Sequence, residues 1–295
     1  MGLQRSWEGM PVTDISSHFP PAITQKIVAA DGRTLCFADW GGDGYPVLFL
    51  HGIPGCRLAV RMPSLVAGLG GRLITYDRPG CGQSDRLAGR TIADCAPDVR
   101  ALADALRLDE FAVVGVSAGS PHAFAVSAIL GDRVSRVASY GSIAPRAELG
   151  ADEWSRGQDE ETREYLAMVQ ATDDEAVRYF TEMDDADRAA VSPDDPALAY
   201  VFEQHLLGVW GTIDDERAHM KPWGFDVAAV QAPTMIWYDA KDTVTPIQHA
   251  QWLARVIPDA TLVPTDAMGH GSTGDPTNDR AAMYTWLTRG GELTH

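Results

Sequence analysis

No apolar run in this chain approaches the roughly 20 residues that a membrane-spanning helix needs, and residues 1–22 lack the continuous apolar stretch of a signal peptide. The expectation is a cytoplasmic protein with no membrane partner. Cysteine is scarce: Cys36, Cys56, Cys81 and Cys95 are scattered without a CxxC pair or metal-ligand spacing, which fits thiols kept reduced and no zinc site. Positive charge is short as well, with 24 Lys and Arg against 41 Asp and Glu and a formal net charge of -17. Nucleic acid and anionic membrane surfaces require basic patches that release counterions from phosphates, so neither is an expected partner. There is no internal repeat, no low-complexity tract and no motif that asks for a metal or an organic cofactor.

What is present is ordinary globular composition, 45% hydrophobic and 22% charged, in 295 residues. That length suits one large α/β domain, or one such domain carrying an insertion. The negative charge is unevenly placed. Residues 147–219 hold twenty Asp or Glu and five Arg, a net of -15, which leaves -2 for the rest. This acidity reads as the solvated face of one segment.

Short β-branched or aromatic runs alternate with longer helical patterns, the signature of βα units around a mostly parallel sheet. Strands are expected at about 24–30, 34–39, 46–50, 72–76, 111–115, 134–140, 233–238 and 260–264, with a hairpin across Asp31-Gly32. Near-continuous apolar runs at Pro46–Leu50 and Phe111–Val114 predict central strands covered on both faces. Residues 91–107 carry apolar side chains at helical spacing, with Pro97 near the start. From about 143 the pattern turns to acid-rich helical stretches, and sheet character returns near Ala232. The predicted organisation is an N-terminal extension (1–22), a core domain (23–142 and 225–295) and a helical cap (143–224). The cap's apolar side chains, among them Trp154, Tyr165, Phe180, Leu206, Leu207 and Trp210, are expected to bury a face against one another or the core.

The chemistry centres on Gly115-Val116-Ser117-Ala118-Gly119, a G-x-S-x-G pattern directly after an apolar strand and before a helical run, Pro121–Leu130. A sharp strand-to-helix turn there needs the small neighbours Gly115 and Gly119, and sets the Ser117 hydroxyl at a helix N-terminus. Serine alone is a poor nucleophile and needs a base held by a carboxylate. Beyond the strand at 233–238 lie two carboxylates, Asp239 and Asp242; beyond the last strand lies His270, flanked by Gly269 and Gly271. After the strand at 46–50 comes His51-Gly52-Ile53-Pro54-Gly55, where backbone N–H groups of Ile53 and, across the site, Ala118 would face a developing oxyanion. His51 and Gly52 are read as holding that loop, the His51 ring by a hydrogen bond.

These stretches, together with Tyr76-Asp77-Arg78-Pro79-Gly80-Cys81-Gly82-Gln83-Ser84-Asp85, resemble the α/β-hydrolase superfamily over about residues 24–290, specifically its capped Ser-Asp-His members such as carboxylesterases, lactonases and proline iminopeptidase-like enzymes. The resemblance implies an eight-stranded, mostly parallel sheet flanked by helices, with an inserted helical cap. It implies Ser117 as nucleophile, His270 as base and Asp242, rather than Asp239, as the orienting acid. Asp77 and Ser84 are taken as structural. One departure is Ser120, which stands where a further glycine is common in the family. A serine in place of the aspartate of haloalkane dehalogenases and epoxide hydrolases points to acyl chemistry. The expected function is cleavage of a carboxylic ester or lactone of a small, mainly apolar, neutral or cationic molecule. Carbon–carbon bond hydrolysis, a hydroxynitrile-type lyase and a non-hydrolytic ligand receptor on the same scaffold stay open.

Overall fold

A computed structural model of the chain describes residues 23–59, 63–191, 198–265, 270 and 277–291. The segment 1–22 and the glycines beside His270 lie outside the described residues. Eight strands follow the apolar runs closely: β1 (Ile23–Val28), β2 (Thr34–Asp39), β3 (Tyr45–Leu50), β4 (Gly71–Tyr76), β5 (Phe111–Val116), β6 (Val134–Tyr140), β7 (Thr234–Asp239) and β8 (Ala260–Thr265). They form one sheet in the order β1-β2-β4-β3-β5-β6-β7-β8. β1 and β2 pair antiparallel, as does β2 with β4, and every other pairing is parallel. The β1–β2 hairpin turns at Gly32, whose φ of 88° is a conformation that glycine adopts without strain.

The helices of the core are α1 (Pro63–Gly68), α2 (Cys95–Ala105), α3 (Gly119–Leu130) and, after β7 and β8, α10 (Gln248–Val256) and α11 (Thr277–Arg289). Between β6 and β7 lie α4 (Arg146–Leu149), α5 (Ala151–Ser155), α6 (Glu160–Val169), α7 (Asp173–Ala190), α8 (Leu198–Gln204) and α9 (Trp210–His219). Successive side chains of a strand point to opposite faces, so Leu48 and Leu50 join Val113, Val137 and Ile236 against α2, α3 and α10. Val47 and Phe49 join Val114, Ala138 and Trp237 against α1 and α11. Burial on both faces is why these strands read as unbroken apolar runs rather than alternating ones.

The insertion has a small core of its own, Val169, Ala176, Phe180, Val209 and Ile213, with Tyr165, Tyr179 and Trp210 packed on it. Tyr165, Tyr179 and Phe180 meet edge to face at ring-centroid separations of 5.3 to 6.4 Å. Leu206 and Leu207 depart from expectation: they are 54% and 58% exposed, in the turn that links α8 to α9. Among the described residues no helix is long and apolar enough to cross a membrane.

Candidate active site

Parallel strands place the loops that follow β3, β5, β6, β7 and β8 on one edge of the sheet, and the chemistry-bearing residues come from those loops. Ser117 leaves β5 with φ 52°, a left-handed conformation that serine holds only where its surroundings over-determine it. Two glycines make the turn sterically possible. A Cβ on Gly119 would lie 2.1 Å from the Leu50 carbonyl oxygen, and one on Gly115 would lie 2.4 Å from the Gly119 carbonyl oxygen. The turn is also pinned by the Ser117 N–H, which donates to the Tyr140 carbonyl at 2.8 Å.

Ser117 Oγ lies 2.9 Å from His270 Nε2, and His270 Nδ1 lies 2.8 Å from Asp242 Oδ2. A carboxylate can only accept, so Nδ1 carries the proton and Nε2 is left as the acceptor for the serine hydroxyl. Asp242 is buried and fully engaged: Oδ1 accepts the N–H groups of Val244 and Thr245, both at 2.9 Å, and Oδ2 also accepts the Thr245 hydroxyl at 2.8 Å. Burial works to raise its pKa, but the hydrogen bonds from His270 and Thr245 outweigh it, and the carboxyl is held below its ordinary value. Asp239 instead accepts the Lys241 N–H at 2.8 Å within its own turn.

The loop after β3 packs against the turn that carries Ser117. His51 is buried, with Nδ1 2.8 Å from the Gly52 carbonyl oxygen, and Gly52 packs beneath Ser117, a Cβ there coming within 3.4 Å of the serine Cβ. Burial drives the His51 pKa down to about 3, so the ring is neutral. Asp77 accepts the Arg57 and Gln83 N–H groups at 2.6 and 2.9 Å, and Ser84 Oγ accepts the Cys36 N–H at 2.8 Å, both structural roles.

Ser117 and His270 share a cavity of about 310 Å³ with Ile53 and Ala118, roofed by residues of the insertion, including Trp154, Tyr165 and Leu166. Among the described residues the N–H groups of Ile53 and Ala118 have no backbone acceptor. Among the described residues, three carboxylates, Asp159, Glu161 and Glu216, line the cavity and no Lys or Arg does. His249 sits in the same wall, accepting the Ala144 N–H at Nδ1 (3.1 Å) and donating from Nε2 to the Trp154 carbonyl (2.9 Å). Burial brings its pKa down to about 4.

The picture of a solvated acidic face needs correcting on α9. Asp214, Asp215 and Glu216 are all buried. Asp215 Oδ2 accepts from Arg78 Nε at 2.7 Å and its Oδ1 from Arg90, while Asp214 accepts from Arg86 at 2.6 Å. Glu216 accepts the Tyr165 hydroxyl at 2.8 Å. Full burial would raise the Asp215 pKa, yet the two guanidinium groups beside it hold the carboxyl far below the usual range. The arginines come from the core segment between β4 and α2, so a charge count by segment hides the pairing. Of these, Arg78 belongs to the motif quoted above, and its dipeptide with Asp77 beside a turn was the only hint of a role. Asp215 carried no signal.

The sequence pattern of the alpha/beta hydrolase fold family matches residues 45–274, most of the chain. The chain belongs to the alpha/beta hydrolase fold family. An AB hydrolase superfamily protein of Bacillus subtilis (strain 168), YisY, is 29% identical over 253 residues, 83% of this chain and 92% of its own. An alpha/beta hydrolase fold protein from Nakamurella multipartita superposes with a TM-score of 0.63 at 25% identity, covering 91% of this chain and 100% of that one. A thermophilic esterase from Thermogutta terrifontis gives a TM-score of 0.66 at 22% identity over 92% of this chain and 100% of its own, a likeness of fold. Within this alpha/beta hydrolase, Ser117, Asp242 and His270 lie beyond the carboxyl ends of β5, β7 and β8, the edge at which ligands enter open α/β sheets.

Proposed function

We propose that this alpha/beta hydrolase is a serine esterase, cleaving a carboxylic ester or lactone of a small neutral or cationic molecule through an acyl-enzyme. The observation that carries the reading is the unbroken hydrogen-bonded chain from Ser117 Oγ through His270 to Asp242 at the wall of a cavity. As Ser117 Oγ attacks the carbonyl carbon, His270 Nε2 takes the hydroxyl proton, and the Asp242 carboxylate stabilises the imidazolium that forms. The carbonyl oxygen becomes an anion facing the N–H groups of Ile53 and Ala118, each such donor contributing about 3 to 4 kcal/mol in comparable sites. Collapse of the tetrahedral species gives the proton from His270 to the leaving alkoxide. Water, deprotonated by His270, then releases the acid and restores Ser117.

Cavity size and charge support the substrate class. About 310 Å³ is at the lower end of the range for ligand pockets, which favours short acyl chains, and three carboxylates with no Lys or Arg beside them among the described residues disfavour anionic substrates. Helices α4–α9 act in this reading as a cap that excludes water. The test is labelling by a fluorophosphonate probe together with turnover of p-nitrophenyl butyrate. Both are expected in the wild-type protein and lost in Ser117→Ala; a variant that keeps its activity removes the proposal.

A further inference from the structure

The N–H groups of Ile53 and Ala118 belong to peptide units whose other ends are the carbonyls of Gly52 and Ser117. A planar trans peptide points its C=O and N–H in opposite directions, so whatever grips the carbonyl aims the N–H. Gly52 O is gripped by His51 Nδ1 at 2.8 Å and by Arg78 Nη2 at 3.2 Å, and Arg78 Nη1 donates to the preceding carbonyl, that of His51. Ser117 O needs a substitute partner for a local reason. Its regular helical donor four residues on would be Pro121, which has no N–H. The Ser120 N–H reaches it at 2.9 Å and the Ser120 hydroxyl at 2.7 Å, and the same hydroxyl accepts the Ile143 N–H at 3.2 Å. A glycine at 120, common in the family, could supply only the first of these bonds.

We propose that Arg78 and Ser120 are positioning residues that aim the two oxyanion N–H groups from behind, and that the insertion takes part through Asp215 of α9, the carboxylate that fixes Arg78. Arg78 and Asp215 are both 0% exposed and meet at 2.7 Å, so the guanidinium has one orientation available. Its planar fork allows it to bridge two successive carbonyls, which the single ammonium of a lysine does less well. Its charge also lies at the carbonyl end of the Gly52–Ile53 peptide, where it favours the orientation that turns the N–H toward Ser117. Ser120 does the equivalent with a neutral hydroxyl. The site on the sheet edge is in this sense completed by a helix of the insertion.

The proposal rests on Ser117 being the nucleophile, and its test separates the two. Arg78→Lys, Arg78→Gln, Asp215→Asn and Ser120→Ala are compared with wild type for kcat and KM on p-nitrophenyl butyrate and for inhibition by phenylboronic acid, whose tetrahedral adduct on a serine presents an oxygen to the oxyanion site. Misaimed donors weaken the transition state more than the substrate complex. The expected result is kcat lowered about fivefold or more in Ser120→Ala and about tenfold or more in Arg78→Gln, with Arg78→Lys between Gln and wild type. KM should stay within twofold, and boronate affinity should fall by the same factor as kcat/KM. Should the Arg78 variants fail to fold, Ser120→Ala decides for the Ala118 peptide and Asp215→Asn for the Ile53 peptide. Folded variants with wild-type kcat, or with a raised KM and unchanged boronate affinity, overturn the proposal. A wild-type protein that neither turns over esters nor takes the fluorophosphonate label defeats the nucleophile reading instead.

Discussion

The sheet and the helices inserted after β6 are held by different forces. On the sheet, both faces are packed with aliphatic and aromatic side chains, and burial of apolar area, at about 25 cal/mol per Å², dominates. The insertion has only a small apolar cluster of its own, and its α9 meets the core through the buried ion pairs Arg78–Asp215 and Arg90–Asp215 and the partly exposed pair Arg86–Asp214. Apolar contact tolerates small shifts, whereas a buried ion pair is satisfied in one geometry and is costly in any other. The difference shows how a roof that contributes little core can still be fixed over the site in one register.

The largest expected effect breaks that register. Asp215→Ala leaves Arg78 buried without its partner and should cost about 3 to 5 kcal/mol in urea unfolding. Glu182→Ala, an exposed acid on α7 of the same insertion, should change stability by less than about 0.5 kcal/mol. Equal effects at the two positions would mean that the ion pairs do not hold the insertion.

The next effect is in pH. His249, on α10, bonds to the Trp154 carbonyl of the insertion, and its folded-state pKa of about 4 lies below the ordinary 6.5. The unfolded state therefore binds the proton first as pH falls. Stability from this group is complete above about pH 6.5 and is lost progressively toward pH 4, by about 3 kcal/mol at most. Chemical denaturation between pH 7 and pH 4 should show this decline, flattened in His249→Gln; an unchanged slope in the variant would place the acid sensitivity elsewhere.

The same contrast governs how much could be read from residues alone. Strand positions emerge to within about two residues because a strand buried on both faces has an unmistakable composition, and Ser117 and His270 stand out by their places after β5 and β8, whereas Asp239 and Asp242 both follow β7 and only the family resemblance chose between them. In the insertion, helical spacing locates Tyr165 and Phe180 in a core but not Leu206 and Leu207, which lie in a turn and stay exposed. Asp214 and Asp215 look like any other acids of their segment. Their partners, Arg78, Arg86 and Arg90, lie more than 120 residues earlier, a separation at which no periodicity carries a signal.

The smallest effect concerns what the remaining acidity does for catalysis. The acids of α9 that meet arginines are neutralised locally and add little to the field outside, while Glu161 is exposed and lines the cavity, with no Lys or Arg in the wall among the described residues. If that field draws cationic esters inward, it acts over a distance set by salt, about 30 Å at 0.01 M and under 10 Å above 0.15 M. For a cationic ester, kcat/KM should then fall about two- to threefold over that rise in salt, with a neutral ester of the same size unchanged. Glu161→Gln should remove part of the fall while Asp214→Asn, whose charge is already paired, should not. A cationic and a neutral ester that respond alike to salt would show that the acidity of the insertion serves its docking and its solubility, not its substrate.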